Sequence, residues 1–142
     1  MIPPIVTAAR QYLGTPWRHL GRTDRGVDCI GLVLLAAAEI GVVIPDPAPY
    51  EREPQGTRLL QGIAQYASRV GAHQPGDILV FRSGLYAGHI GIASEHPTYG
   101  KPAVIHAFAR HGRAVCEQVL ASLLQDTRAA TLMAAFRLPP GG

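Results

Sequence analysis

Cysteine is scarce in this chain: Cys29 and Cys116 are the only two in 142 residues. A disulfide-built secreted scaffold carries more cysteines in a shorter chain, so two free thiols point to synthesis in a reducing compartment. Charge is sparse as well. Asp, Glu, Lys and Arg together make up 16%, and the formal net charge is +3. Arg supplies nearly all the cations and no run of them forms a basic stripe, so no nucleic-acid partner is expected. Long apolar runs are missing too. The longest, residues 30–38, is too short to span a bilayer and is followed by Glu39, so no membrane insertion is expected. The opening Met-Ile-Pro-Pro-Ile-Val-Thr has neither a basic nor an apolar leader region. No signal peptide is visible, and the expectation is synthesis in the cytoplasm, with delivery by something else if the substrate lies outside. There is no internal repeat, no low-complexity segment and no linker long enough to split the chain.

What is present is a globular composition, 47% hydrophobic, at the length of one ordinary domain. A single domain over 1–142 is expected, able to bury roughly two thirds of its unfolded surface. Pro3 and Pro4 suit a first helical turn, where a missing N–H costs nothing. Ile5, Ala8, Ala9 and Leu13 repeat at helical spacing up to Gly14. Residues 14–28 show no periodicity and read as a long loop. A Leu- and Ala-rich helix is expected over 29–40, stopped by Gly41. Prolines 45, 47, 49 and 54 make the next stretch irregular, and a further helix is expected over 57–68 with Thr57 as N-cap. The period then changes to two. Strands are expected at 77–82, 89–94, 103–109, 113–119 and 131–138, the third and fourth joined at Arg110–Gly112, with a short helix at 121–125. Helices first and a strand meander afterwards predict an α+β fold with an antiparallel sheet.

The segment Gly26-Val27-Asp28-Cys29-Ile30-Gly31-Leu32-Val33 carries the most information. It places a thiol where a loop becomes a helix. Free N–H groups and the macrodipole at a helix N-terminus favour an anion, lower a thiol pKa and create the nucleophilic thiolate. Asp28 can cap that helix. Gly31 costs helix stability and makes sense if another backbone or a ligand comes close. A buried, inert cysteine at a helix start is the equal alternative at this point. His89 opens the apolar strand Ala-Gly-His-Ile-Gly-Ile-Ala, and His106 sits mid-strand in Val-Ile-His-Ala-Phe. On neighbouring antiparallel strands the two can face each other, giving thiol, base and orienting group. Either histidine alone reads more simply as a satisfied core residue.

Taken in order, Gly14-Thr15-Pro16-Trp17-Arg18, the Cys29 segment, Gln74-Pro75-Gly76-Asp77-Ile78-Leu79-Val80-Phe81, Gly88-His89-Ile90-Gly91-Ile92 and Val104-Ile105-His106-Ala107 resemble the NlpC/P60 cysteine peptidases. The resemblance covers about residues 5–138 and looks strongest to the compact phage and gene-transfer-agent cell wall peptidases. It implies a papain-like α+β fold, with the cysteine at the start of a helix packed on a sheet that carries the histidines. By motif match Cys29 is the nucleophile, His89 the general base and later acid, and His106 the residue that orients His89. The implied substrate is a peptidoglycan stem peptide, cut between D-glutamate and a diamino acid, with phage-like tail proteins as partners and no cofactor. Many members carry a tyrosine twelve residues before the cysteine as an oxyanion donor, whereas this chain has Trp17 there. Trp17, His19 and Asp28 are therefore the oxyanion or substrate-binding candidates. Asp77 reads as structural, and Cys116 as a half-buried strand residue. Zinc held by Cys29, His89 and His106 is the metal alternative that these residue types allow; the family uses them without metal. Two other readings remain: a tail component that only binds wall material or a tail partner, and an acyltransferase or amidase acting on another substrate.

Overall fold

A computed structural model describes residues 1–50, 61–83, 86–108, 114–125 and 131–139. Helix α1 (Pro4–Arg10) leads through a loop to a two-stranded hairpin, β1 (Arg22–Thr23) and β2 (Gly26–Val27), and then to α2 (Cys29–Glu39). Residues 61–64 are helical (α3). The strands β3 (Ser68–Val70), β4 (Ile78–Ser83), β5 (Tyr86–Glu95), β6 (Pro102–Ala107) and β7 (Val115–Val119) follow, then α4 (Leu120–Gln125) and β8 (Thr131–Arg137). The last six strands form one sheet in the order β3-β8-β4-β5-β6-β7, and each neighbouring pair is antiparallel. This is the expected α+β class.

The period-two pattern of the strands divides two cores. Ile78, Val80, Ile90, Ile92, Ile105 and Phe136 face α1 and α2, meeting Val6, Ala9, Leu32, Val33 and Ala36. Leu79, Phe81, Ala93, Val104 and Ala135 point to the opposite face, where Leu120, Leu123 and Phe108 cover them. The small side chains of α1 and α2 let the two helices pack closely against each other and against β5.

Two expectations need correction. The 14–28 segment is not a plain loop. It holds the β1–β2 hairpin, with bridges from Pro16 to Ala114 and from Trp17 to Val27; two-residue strands are too short to leave a periodic signal. The helix expected to reach residue 68 stops earlier, because Ser68 begins β3 and pairs with Arg137. Thr57, its expected cap, and the turn at Arg110–Gly112 lie outside the described residues.

Gly31 shows how tightly the 14–28 segment sits on α2. A Cβ at position 31 would lie 2.1 Å from the Gly21 carbonyl oxygen and 2.9 Å from an Arg22 guanidinium nitrogen. The close backbone approach inferred from the sequence is that of Gly21. A backbone oxygen cannot swing aside as a side-chain tip can, so Gly31→Ala should destabilise by about 3 kcal/mol, the upper range for overpacking, despite alanine's better helix propensity. Urea unfolding checks this; an unchanged midpoint would contradict the packing.

Candidate active site

Cys29 is the first residue of α2, and Asp28 caps the helix by accepting from the Gly31 N–H at 2.8 Å. The second Asp28 oxygen accepts from the Leu20 N–H at 2.9 Å and from the Tyr50 hydroxyl. Arg22 closes the set, donating to Asp28 at 2.9 Å while also gripping Asp46 and Tyr50. The expected capping role of Asp28 holds. Its oxygens are occupied by donors from three segments, so the residue fixes the ground around the thiol.

The thiol itself takes the place of a strand neighbour. The β5–β6 ladder pairs Ile92 with Ile105 and runs on to Glu95 and Pro102. Beyond Ile92, Sγ of Cys29 donates to the Gly88 carbonyl at 3.7 Å, and the N–H groups of Ile90, Ile30 and Cys29 itself point at the sulfur. Among the described residues no hydrogen bond joins Sγ to His89; the sulfur rests on the backbone beside it.

His89 pairs in register with Phe81 and is 5% exposed. Its Nε2 lies 2.7 Å from Nδ1 of His106, which is fully buried. The rings of Phe81 and Phe108 flank it at centroid distances of 5.8 and 4.6 Å. Gly91 makes this possible: a Cβ there would lie 2.5 Å from Val104 Cγ2 and 3.0 Å from the Cβ of His106. His106 in turn has Nε2 3.1 Å from Oε1 of Gln118 on β7. Gln118 escaped the sequence reading. The available signal was a polar residue two places from Cys116, on the strand expected beside His106.

Charge in this site is governed by burial. Burial pushes the Cys29 thiol up to about 12, and the Asp28 carboxylate adds to the rise, while the three N–H groups pull the other way. The lowering expected from the helix terminus is thus outweighed, which corrects that reading. His89 is held well below its ordinary 6.5, by burial first and by His106 second. Burial thus disfavours the charged form of both the thiol and the imidazole.

The remaining candidates divide. Trp17 bridges to Val27 and packs on the first core as a half-buried anchor of the loop. The His19 ring meets Tyr50 edge-on at 5.8 Å, and its buried Nδ1 has no hydrogen-bond partner among the described residues. Asp77 is structural, paired to Arg137 through both oxygens at 3.0 Å. Cys116 is a free, half-exposed thiol. No group of three or more His, Cys, Asp or Glu suited to a metal occurs among the described residues. Nor is any described helix long and apolar enough to cross a membrane.

A thiol at the first turn of a helix is set against a sheet that holds two hydrogen-bonded imidazoles, and the helix-and-sheet architecture is the papain-like α+β fold. Residues 14–131 match the NlpC/P60 family, and the chain belongs to it. A probable endopeptidase of Mycobacterium tuberculosis is 31% identical over 105 residues, 69% of this chain and 24% of the relative. One of Corynebacterium glutamicum is 35% identical over 103 residues, 72% of this chain and 41% of the relative. The chain thus spans well under half the length of these relatives. Among solved structures, the NlpC/p60 domain of the peptidoglycan hydrolase SagA superposes with a TM-score of 0.62 at 23% identity, covering 95% of this chain and 97% of that one. An N-acetylmuramoyl-L-alanine amidase from Bacteroides uniformis gives 0.62 at 16%, covering 96% and 97%. At such identities these neighbours show the fold alone.

The depressed imidazole has a consequence for stability. In the unfolded chain His89 takes a proton near pH 6.5, while in the fold it resists protonation. Its contribution is therefore intact above pH 6.5 and is lost as pH falls below that value, with a slope of about one proton. His89→Gln should flatten the stability profile between pH 6.5 and 5, measured by urea unfolding. Parallel profiles for the two proteins would contradict the assignment.

Proposed function

We propose that this domain is a cysteine endopeptidase that hydrolyses an amide bond in peptidoglycan stem peptides through a thioester. The observation that carries the reading is the seat of Cys29 at the start of α2, against the backbone on either side of a His89 whose Nε2 is engaged by His106. Nδ1 of His89 is then the nitrogen left to take the thiol proton. Because burial disfavours the charged form of both groups, transfer of the proton during attack is favoured over a resting ion pair. Sulfur attacks the amide carbon and the carbonyl oxygen becomes an oxyanion, stabilised by N–H groups at the start of α2. Protonated His89 gives its proton to the leaving amine, and the C–N bond breaks. Water, deprotonated by His89, then adds to the thioester; the C–S bond breaks and the thiol is restored. The naming of the mycobacterial and corynebacterial relatives as endopeptidases supports the reaction class, and a peptidoglycan substrate fits the NlpC/P60 family.

The finer reading is cleavage between D-glutamate and the diamino acid, by a domain delivered in a phage-like tail. Both parts rest on the resemblance of the ordered motifs to the compact cell wall peptidases.

A second reading, a wall-binding component without catalysis, draws on the raised thiol pKa and on Trp17 standing where a tyrosine donor is usual. Digestion of purified peptidoglycan, with products read by mass spectrometry, separates the two. The wild type should release new amino termini on the diamino acid, and Cys29→Ala, folded to the same melting curve, should release none. Products from the Cys29→Ala protein would sink the nucleophile. A wild type that sediments with the wall and cuts nothing would establish the binding reading.

A further inference from the structure

His89 and His106 share a single short contact, Nε2 to Nδ1 at 2.7 Å. Between two neutral rings that contact holds one hydrogen, which can belong to either ring. If His89 keeps it, the Nδ1 of His89 carries a lone pair and can accept the thiol proton. If His106 keeps it, the hydrogen of His89 must sit on Nδ1, and the base is blocked. The choice is settled at the far end of the pair. A neutral imidazole has one N–H, so whatever holds a hydrogen on Nε2 of His106 leaves its Nδ1 bare.

We infer that Gln118 is that group, a positioning residue that sets the tautomer of both histidines. Its Oε1 stands 3.1 Å from Nε2 of His106, and a carbonyl oxygen only accepts. His106 therefore donates to Gln118 and accepts from His89. The reversed amide would present an NH2 group and invert the relay. The β6–β7 register places Gln118 opposite Val104 and Cys116 opposite His106, so Gln118 lies diagonally across from the ring on the same face. The rings of Phe81 and Phe108 border His89, and His106 is fully buried. His106 itself is closed to water, while Gln118 lies half-buried on the edge strand. The inference rests on the reading of His89 as the base.

Nitrogen NMR of the imidazole rings, recorded on the full chain at pH 7 without substrate, reads the tautomers directly. The wild type should show His89 and His106 both protonated at Nε2. Gln118→Met removes the acceptor at similar volume, and Gln118→Ala removes it with less bulk. Each should show mixed tautomers for both rings. On stem peptides kcat should fall roughly tenfold, as expected when only a fraction of the molecules is competent, with KM within about twofold. A wild-type His89 protonated at Nδ1 would overturn the inference. So would variants that keep the wild-type tautomers and kcat. If the wild type shows the expected tautomers but cuts no stem peptide, the peptidase reading fails while the role of Gln118 in setting the tautomer stands.

Discussion

A carboxylate taken out of water must be met by donors on both oxygens, or it costs several kcal/mol. Asp28 is 4% exposed and is met by the Gly31 N–H, the Leu20 N–H, the Arg22 guanidinium and the Tyr50 hydroxyl. Those four donors come from α2, from the loop before β1, from β1 and from the segment that follows α2. One side chain thereby joins three separate stretches of chain beside the thiol. Leu20 illustrates the strength of the demand. It sits at φ 60, a left-handed conformation that costs a leucine about 1 kcal/mol, and its N–H is delivered to Asp28. Arg22 cannot be separated from this set, since losing it would leave a buried charge short of its partner.

The position of Cys29 follows from that anchorage, and its chemistry from what surrounds it. The sulfur sits where β5 and β6 part, and a strand edge offers alternating carbonyls and N–H groups. Sγ meets one of each, Gly88 and Ile90. The same burial that keeps the thiol protonated strengthens each N–H dipole near it, because low dielectric acts on both. A resting ion pair is thus disfavoured, while charge that develops on an oxygen held by those dipoles is favoured. The histidine pair lies on the other face of the sheet, among the aromatic rings of the second core. The site therefore depends on the gap where β5 and β6 part to bring the two faces together.

Much of this was legible in the residues, for identifiable reasons. The α2 helix, the cysteine at its start and the Asp28 cap followed from local rules that need no tertiary contact. The His89 and His106 strands followed from period-two alternation, and Gly31 correctly signalled a close backbone. What stayed hidden depended on contacts distant in sequence. Tyr50 and Asp46 join Arg22 from a proline-rich stretch with no period, and nothing local marks them. The thiol's protonation was misread because a helix terminus is a local feature, whereas burial by β5 is not. Ser68 was misassigned because a three-residue edge strand gives too short a pattern to compete with a helical one. Trp17 bridges to Val27 and packs on the first core, as an anchor of the loop would.

Register is the remaining constraint, and β7 shows how it is held. Glu117 and Gln118 are adjacent, so they point to opposite faces of the sheet. Glu117 turns toward the helices, where Arg10 grips both of its oxygens at 3.0 and 2.8 Å and Ser94 donates to it at 2.6 Å. Gln118 turns toward His106. A slip of one residue would exchange them, placing a carboxylate against the histidine pair and leaving Arg10 without its partner. The ion pair with Arg10 penalises that slip even though it touches no part of the site. Within the sheet β7 has one neighbour, β6, and at its start Val115 accepts from the Gly14 N–H at 2.9 Å and donates to the Thr15 carbonyl at 2.8 Å. The Arg10–Glu117 pair on one face thus works with those backbone bonds to keep an acceptor, and not an acid, beside His106 on the other.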